Sequence, residues 1–388
     1  HQPDERVPGW QMEPWGSCIN RKMPWFSLAR DFFDYISRSQ YMLQQGKADV
    51  RVLRLMTEVP PIVALPPQLP NGIFSNRING ECVRKYLRVK NGKFVSPGRI
   101  EYDFLDIAPD AALRLETLET LKKLVSDGAT INAERKPEFM TLKGGKKADA
   151  QWEKLSRELF GDGQKRVIEI GRGKIYVGYS AREMAQVLGI RQSYITSADS
   201  LSIVPRVHAN GVKWFYVVNR GEADRTFDIS FDATGKAEIW NPENATRTEI
   251  LEKRESNGYT RIKFEMRRND SLFVVFTPAS KKVFATETSL DGKKTFPNKK
   301  PSAEIVQKHP LVRDCGGKLS AEFFKAGKLD VTLSDGTSKS ASVEKIRDSV
   351  NLKTPFTVEF EEQYGAPKSA VFEKFESWTK HADPRIAN

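Results

Sequence analysis

Cysteine and histidine are scarce in this sequence. Three cysteines (Cys18, Cys82, Cys315) and four histidines (His1, His208, His309, His381) stand far apart along 388 residues. An odd cysteine count without close spacing argues against a disulfide scaffold and against a zinc site, although one pair could still bridge. No two histidines are close enough to suggest a shared metal, so no metal site is expected in this chain. No run approaches the ~18 apolar residues of a membrane-spanning helix, and no repeat of solenoid period is present. The glycine pair Gly171-Arg172-Gly173 lacks the third glycine and the helix start of a dinucleotide fingerprint. It reads as a turn, and no cofactor is expected. Cys82, in the stretch GECVRK, has no His/Glu pair following it in the manner of a triad and is not expected on a strand-to-helix elbow. Carboxylates are plentiful, but catalytic pairs are neighbours in space rather than in sequence, so the catalytic residues stay unknown at this level.

What is present points to a multidomain α/β plus β protein. A chain of this length suits about two to four domains. With 39% apolar and 10% aromatic residues, it can bury real cores and does not have the composition of a disordered chain. The net charge of +12 would suit nucleic acid or an acidic polymer. The lysines, however, are scattered or sit in turns (Lys143 to Lys147; Lys293, Lys294, Lys299, Lys300). They neither line one helix face nor alternate with aromatics, so a solvated surface is expected and nucleic acid is not expected as a partner.

Residues 24–45 form the best helix signal, with Pro24 in a first-turn position, Gly46 at the stop and a wide apolar face of Trp25, Leu28, Ala29, Phe32, Phe33, Ile36 and Leu43. Little precedes it for that face to pack on, so the helix is expected to have no partner within this chain. An α/β stretch follows. It comprises a strand at 49–56, a hairpin at 86–95 turned by Asn91-Gly92, a strand at 101–107 and a helix from Pro109 to about Ser126. A strand at 129–133, a helix at 149–160, a strand at 166–170 and a helix at 180–188 capped by Ser180 complete it. Such alternation predicts a largely parallel sheet covered on both faces. From about residue 200 the helices stop. Strands at 201–207, 213–219, 225–231, 236–240, 259–266 and 271–276 predict an antiparallel sandwich. Residues 279–310 read as linker or long loops, and 318–346 as a hairpin turned at Asp335-Gly336. Val358, Phe360, Val371 and Phe375 read as the first strands of a further sandwich. The abrupt start and finish suggest an internal piece of a larger protein.

The opening loop is where a ligand is most expected. His1, Trp15, Asn20, Arg21 and Trp25 place flat apolar rings beside hydrogen-bond donors, which is how proteins hold sugars. The same rings would equally serve to cover the end of a barrel or a neighbouring domain.

Several stretches carry a resemblance. The run INRKMPWFSLARDFFDYISRSQYMLQQGKADV (19–50) resembles a segment of the α-L-rhamnosidase-like glycoside hydrolases, family 106. YLRVKNGKFVSPGRIEYDFLDIAP (86–109) and LETLKKLVSDGATI (118–131) are similar to that family's next, glutamine-amidotransferase-like unit. FYVVNRGEADRTFDISFDATGKAEIWNPENATRTEI (215–250), with Trp240-Asn241-Pro242 at its turn, and SLFVVF (271–276) resemble its following sandwich. FESWTKHADPRIAN (375–388) is similar to the lead-in of a terminal sugar-binding sandwich. YDFLDIAP is less apolar than the family pattern, and the region 60–72 is unusually rich in proline.

The resemblance implies four parts. These are 1–47, the loop and last helix of a truncated catalytic (β/α)8 barrel; 48–198, a flavodoxin/glutamine-amidotransferase-like α/β domain; 199–280, an antiparallel β-sandwich; and 281–388, a linker, a hairpin and the start of a truncated sugar-binding sandwich. The chain would then be the non-catalytic middle of a carbohydrate-active hydrolase. Its parent would be an α-L-rhamnosidase acting on plant-type glycans, periplasmic or secreted, with a calcium ion possible in the parent. Its partners would be carbohydrate, the upstream barrel and the downstream sugar-binding domain. The alternatives are a structural or carbohydrate-binding scaffold without hydrolysis, and polyanion binding through the +12 charge.

Overall fold

In a computed structural model of the chain, residues 19, 21, 23, 25–60, 65–140, 143–278, 283–297, 303–305, 310–315, 318–347, 350–361 and 365–387 are described. The chain folds as two compact units, His1–Ser342 and Val343–Asn388. The architecture is β-rich with few helices.

The first unit contains a six-stranded sheet. Its order is Arg166–Ile170, Gly173–Val177, Thr130–Ala133, Phe104–Ile107, Val52–Leu55, Ser75–Ile78. All neighbours are parallel except the antiparallel edge strand Arg166–Ile170. Counted along the chain, the parallel strands run in the order 2-1-3-4-5. Both central strands, VLRL and FLDI, are buried at every position, as a sheet covered on both faces requires. Leu53, Leu55, Leu105 and Ile107 face a core built with helices Gly80–Tyr86, Leu115–Ser126 and Gly145–Phe160, which contribute Val83, Leu118, Leu121, Trp152 and Leu159. The other face carries Val52 and Phe104 against Met184 and Ala185 of the short helix Ala181–Val187.

The sandwich follows the expected strands closely: Leu201–Val207, Lys213–Asn219, Arg225–Phe231, Lys236–Trp240, Tyr259–Met266 and Ser271–Thr277, with Arg247–Glu249 and Lys253–Ser256 added. Strict alternation decides the packing. Phe215, Val217, Val274 and Phe276 of one sheet meet Phe227, Ile229, Ile262 and Phe264 of the other. The turns form where the sequence places them. Asn91 and Asn257 have φ of 52° and 51°, followed by Gly92 and Gly258 at 76° and 78°, the two left-handed positions that a tight hairpin turn needs.

Four expectations are corrected. The opening helix, Arg30–Gln44, is not without a partner. Its Met42 and Leu43 lie against Trp214, Phe273 and Val275 on the outer face of the sandwich. The Tyr35 hydroxyl bonds with Tyr216 at 2.9 Å and Ser271 at 2.7 Å. The Trp214 indole donates to the Met42 carbonyl at 3.2 Å, and Arg206 donates to the carbonyls of Gln45 and Gly46 at 2.6 and 3.0 Å. Gln45 and Gly46 lie past the last helical residue, where carbonyls lack donors within the helix, so the sandwich completes the helix terminus as well as covering its side.

Second, no helix opens at Pro109. Ala112–Leu113 form a short parallel bridge with Glu138–Phe139, and the helix starts at Leu115. Third, residues 279–310 are not all loop. Ala285–Leu290 and Lys293–Phe296 pair across an Asp291-Gly292 turn, and Ala303–Ile305 adds to the strand Arg225–Phe231. A high lysine content hid the alternation there. Fourth, Cys82 does sit on a strand-to-helix step. Strand Ser75–Ile78 runs straight into helix Gly80–Tyr86, and the Asn79 side chain caps it by accepting from the Cys82 amide at 2.8 Å. The hairpin at Asp335-Gly336 forms as expected, between Gly327–Leu333 and Ser338–Val343. In the second unit, Phe356–Glu359 pairs with Ser369–Phe372, and Phe356 stacks on Phe372 and Phe375.

Because Trp214 is 3% exposed between helix and sheet, Trp214→Ala is expected to cost about 3–5 kcal/mol of unfolding free energy. Removing residues 1–46 is expected to lower the denaturation midpoint and raise binding of a hydrophobic dye. A truncated chain as stable and as soluble as the full one would show that the helix contributes nothing to this fold.

Candidate functional site

The least expected residues of the parallel sheet are three polar side chains at one level. Arg54, Asp106 and Asn132 occupy paired positions on adjacent strands. They lie one inward-facing step beyond Val52 and Phe104, towards the carboxyl ends of the strands. Their exposures are 8%, 1% and 0%. Arg54 Nη1 donates to Asp106 Oδ2, and Asn132 Nδ2 donates to Asp106 Oδ1 at 2.7 Å and to the Tyr179 carbonyl at 3.0 Å. Burial pushes the Asp106 carboxyl above the ordinary aspartate range, against the pull of Arg54 and Asn132. Arg54 Nε and Asn132 Oδ1 are buried without a hydrogen-bond partner.

A cleft of about 540 Å³ lies at the carboxyl ends of these strands. Arg54, Met56 and Thr57 extend from the first strand, Ala108 to Asp110 from the third, and Glu134 and Arg135 from the fourth; Ser180 and Arg182 stand at the start of the helix after the fifth. In open α/β sheets this is where ligands bind, outside the strand ends at the point where strand order reverses. Between Val52–Leu55 and Phe104–Ile107 the order does reverse. The wall at Ser180 is held by a capping box: the Glu183 amide donates to Ser180 Oγ at 3.2 Å, and the Ser180 amide to Glu183 Oε2 at 2.7 Å. Lys165, at 2.7 Å, together with the Ser180 amide and hydroxyl, lowers the Glu183 carboxyl from 4.5 to about 2.

A second cleft, also about 540 Å³, lies between helix Arg30–Gln44 and the sandwich. Tyr41, Met42, Phe273 and Trp240 line it, with Arg38 and Asn241 at its polar side. The Arg247 guanidinium sits 4.0 Å over the Trp240 ring, and Arg38 is tied to the carbonyls of Pro242 and Glu243 at 2.9 and 3.0 Å. One Trp240 face is therefore already occupied, which limits its use as a platform for a flat ring.

Of the opening-loop residues singled out in the sequence, His1, Trp15 and Asn20 lie outside the described residues. Arg21 is exposed, and Trp25 is half-buried just before the 3-10 turn Phe26–Leu28. Trp25 precedes the helix Arg30–Gln44 and is not among the residues that line the Trp240 cleft, which begin at Ser37. Sequence reasoning missed Arg54, Asp106 and Asn132. The available signal was a lone charge inside each of two short apolar strands, VLRL and FLDI; the second falls in YDFLDIAP, where the chain departs from the family pattern. Among the described residues, no three His, Cys, Asp or Glu side chains are grouped to hold a metal ion.

The family model for glycoside hydrolase family 106, described as alpha-L-rhamnosidase, matches residues 1–253. A relative from Formosa agariphila, named "Putative beta-glucuronidase", is 27% identical over 305 residues, 76% of this chain and 25% of its own. Among solved structures, a rhamnosidase from Novosphingobium sp. PP1Y superposes with a TM-score of 0.68 at 22% identity, over 96% of this chain and 31% of that one. The chain thus spans a quarter to a third of the length of these proteins.

Removing one partner of a buried ion pair leaves the other charge uncompensated. Asp106→Ala is therefore expected to cost about 3–5 kcal/mol, while Arg54→Met combined with Asp106→Leu recovers most of it. Urea denaturation of the three proteins reads this, and a single variant no worse than the double would show that the pair is not coupled. The Glu183 cap has a lowered folded value, so its stabilisation is complete above about pH 4.5 and is lost as pH falls towards about 2. Glu183→Gln is expected to be less stable than the parent sequence at neutral pH, with the gap closing through that window. A gap independent of pH would assign it to packing.

Proposed function

Because this chain belongs to glycoside hydrolase family 106, the alpha-L-rhamnosidase family, we propose that it is the non-catalytic middle portion of an enzyme that cleaves α-L-rhamnosides in plant-type glycans. The observation that carries this reading is the family match over residues 1–253, taken with the small share of each relative that the chain spans. In the parent, two carboxylates would act across an oxocarbenium-like transition state, and none of the carboxylates described above is assigned that role. Arg30–Gln44 is read as the last helix of the catalytic barrel. The parallel sheet is read as a flavodoxin/glutamine-amidotransferase-like unit, on the strength of its 2-1-3-4-5 order. The upstream barrel and a downstream sugar-binding domain complete the polypeptide, and the calcium ion is assigned to those parts. Secretion or periplasmic export suits a glycan substrate; among the described residues no helix is long and apolar enough to cross a membrane.

The opening segment is proposed to contact the sugar through His1, Trp15, Asn20, Arg21 and Trp25. A second reading is favoured by the name of the Formosa relative: the parent would then act on β-glucuronides.

The 388-residue chain alone is expected to leave aryl α-L-rhamnosides unhydrolysed, while the complete parent turns them over. In the parent, Arg21→Ala and Trp25→Ala are each expected to reduce kcat/KM by an amount equivalent to about 1–3 kcal/mol, with a smaller effect on melting. Turnover of aryl β-D-glucuronides in place of rhamnosides would move the assignment to the second reading. Activity of the isolated chain, abolished by a carboxylate substitution within it, would sink the non-catalytic assignment.

A further inference from the structure

We propose that the cleft at the carboxyl end of the parallel sheet binds a carboxylate-bearing sugar, a hexuronic acid unit, with Arg54, Arg135 and Arg182 receiving the carboxylate. Three guanidinium groups line one cleft, and among the described residues Arg54 is the one of the three with a carboxylate partner. Arg135 and Arg182 are exposed and have no ion-pair partner among the described residues. Arg54 is 8% exposed and donates to Asp106 through Nη1, and among the described residues its other terminal nitrogen makes no hydrogen bond. A guanidinium held rigid on one side is prepared to bind a planar carboxylate in a forked pair on the other.

The rest of the lining narrows the class. Among the described residues no aromatic side chain lines the cleft, so neither a nucleobase nor the flat face of a neutral sugar finds a stacking partner there. Asp110 and Glu134 share the cleft with Thr57 and Gln68. These are acceptors and mixed donors suited to hydroxyl groups, and the two carboxylates would oppose a ligand that is anionic all round, such as a polyphosphate. One anionic group with several hydroxyls meets both requirements. A volume of about 540 Å³ is within the usual range for a small-ligand site and suits one or two sugar rings.

A sheet needs no buried Arg–Asp–Asn row to be stable. Well-packed apolar residues of similar volume do at least as well as a buried ion pair. The row stands at the one level of the sheet that borders the cleft, and the levels below it carry Val52 and Phe104. Asp106 and Asn132 act here as positioning residues that hold Arg54.

The choice of a sugar acid over other hydroxy-carboxylates rests on the glycoside-hydrolase reading; the arginines and acceptors alone specify a carboxylate beside hydroxyls. The test is calorimetric titration of the 388-residue chain at constant ionic strength. The probes are D-galacturonate, D-glucuronate, the neutral D-galactose and D-glucose, D-glycerate and inorganic sulfate. A uronate is expected to bind with Kd of about 1 mM or tighter, with the neutral hexoses at least about tenfold weaker. Arg135→Ala and Arg182→Ala are each expected to weaken uronate binding about tenfold or more without moving the melting temperature.

Uronate binding no tighter than that of the neutral sugars, or unaffected by either arginine variant, overturns the proposal. Equal binding of sulfate reduces the cleft to a general anion site and also overturns it, and equal binding of glycerate removes the sugar class. The rhamnoside assay on the complete parent is independent of all these outcomes. Uronate binding with no rhamnoside turnover would sink the proposed function and leave this site standing.

Discussion

A strand with large apolar side chains on both faces has to be covered on both faces. Strands Lys213–Asn219 and Ser271–Thr277 impose this requirement on much of the first unit. Their inward residues Phe215, Val217, Val274 and Phe276 need a second sheet, and the sandwich supplies it. Their outward residues Trp214, Phe273 and Val275 would leave an exposed apolar patch, a surface that soluble proteins seldom tolerate. Helix Arg30–Gln44 closes that patch. The helix in turn ends at Gly46, where φ is 60° and an added Cβ would meet the Val207 carbonyl at 2.5 Å. Lys47–Ala48 then pair with Val207 and Arg206. Covering one sandwich face therefore fixes where the chain enters the first parallel strand, a few residues on.

The parallel sheet meets the same requirement with helices, except at one level. There, Arg54, Asp106 and Asn132 replace apolar residues across three neighbouring strands. Desolvating a guanidinium and a carboxylate costs several kcal/mol each, and their attraction offsets this only with close geometry and further hydrogen bonds. Asn132 supplies one of those bonds, while Arg54 Nε remains without an acceptor. An arrangement that gains little stability and borders the strand-order reversal is better explained by what it presents to the cleft than by what it adds to the core.

Much of this fold was legible in the sequence. The sandwich strands were readable because one face meets a core and the other meets solvent or a helix, which writes a period of two into the residues. Asn91-Gly92 announced its turn because the left-handed backbone it needs suits few other residues. The misreadings also have local causes. Pro109 suits a helix start, yet Ala112–Leu113 are drawn into pairing with Glu138–Phe139, a partner more than twenty residues away. The hairpin within 285–296 was masked by its lysines. Helix Gly80–Tyr86 is short and polar, so only its Asn79 cap signalled it.

The resemblance to family 106, the α/β and all-β stretches and the main turns were determined by the sequence alone, because periodicity, turn chemistry and motif order are properties of neighbouring residues. The cleft was decided by tertiary structure. Arg54, Arg135 and Arg182 lie on three different segments, and nothing local records that a 2-1-3-4-5 strand order brings their ends together. The same holds for the helix that covers Trp214. Its apolar face was plain in the sequence, but which surface it would cover depended on the outward residues of strands some 170 to 240 positions further along. Strand order and register are set by the burial of distant faces against one another, and that pairing exists only in the folded chain.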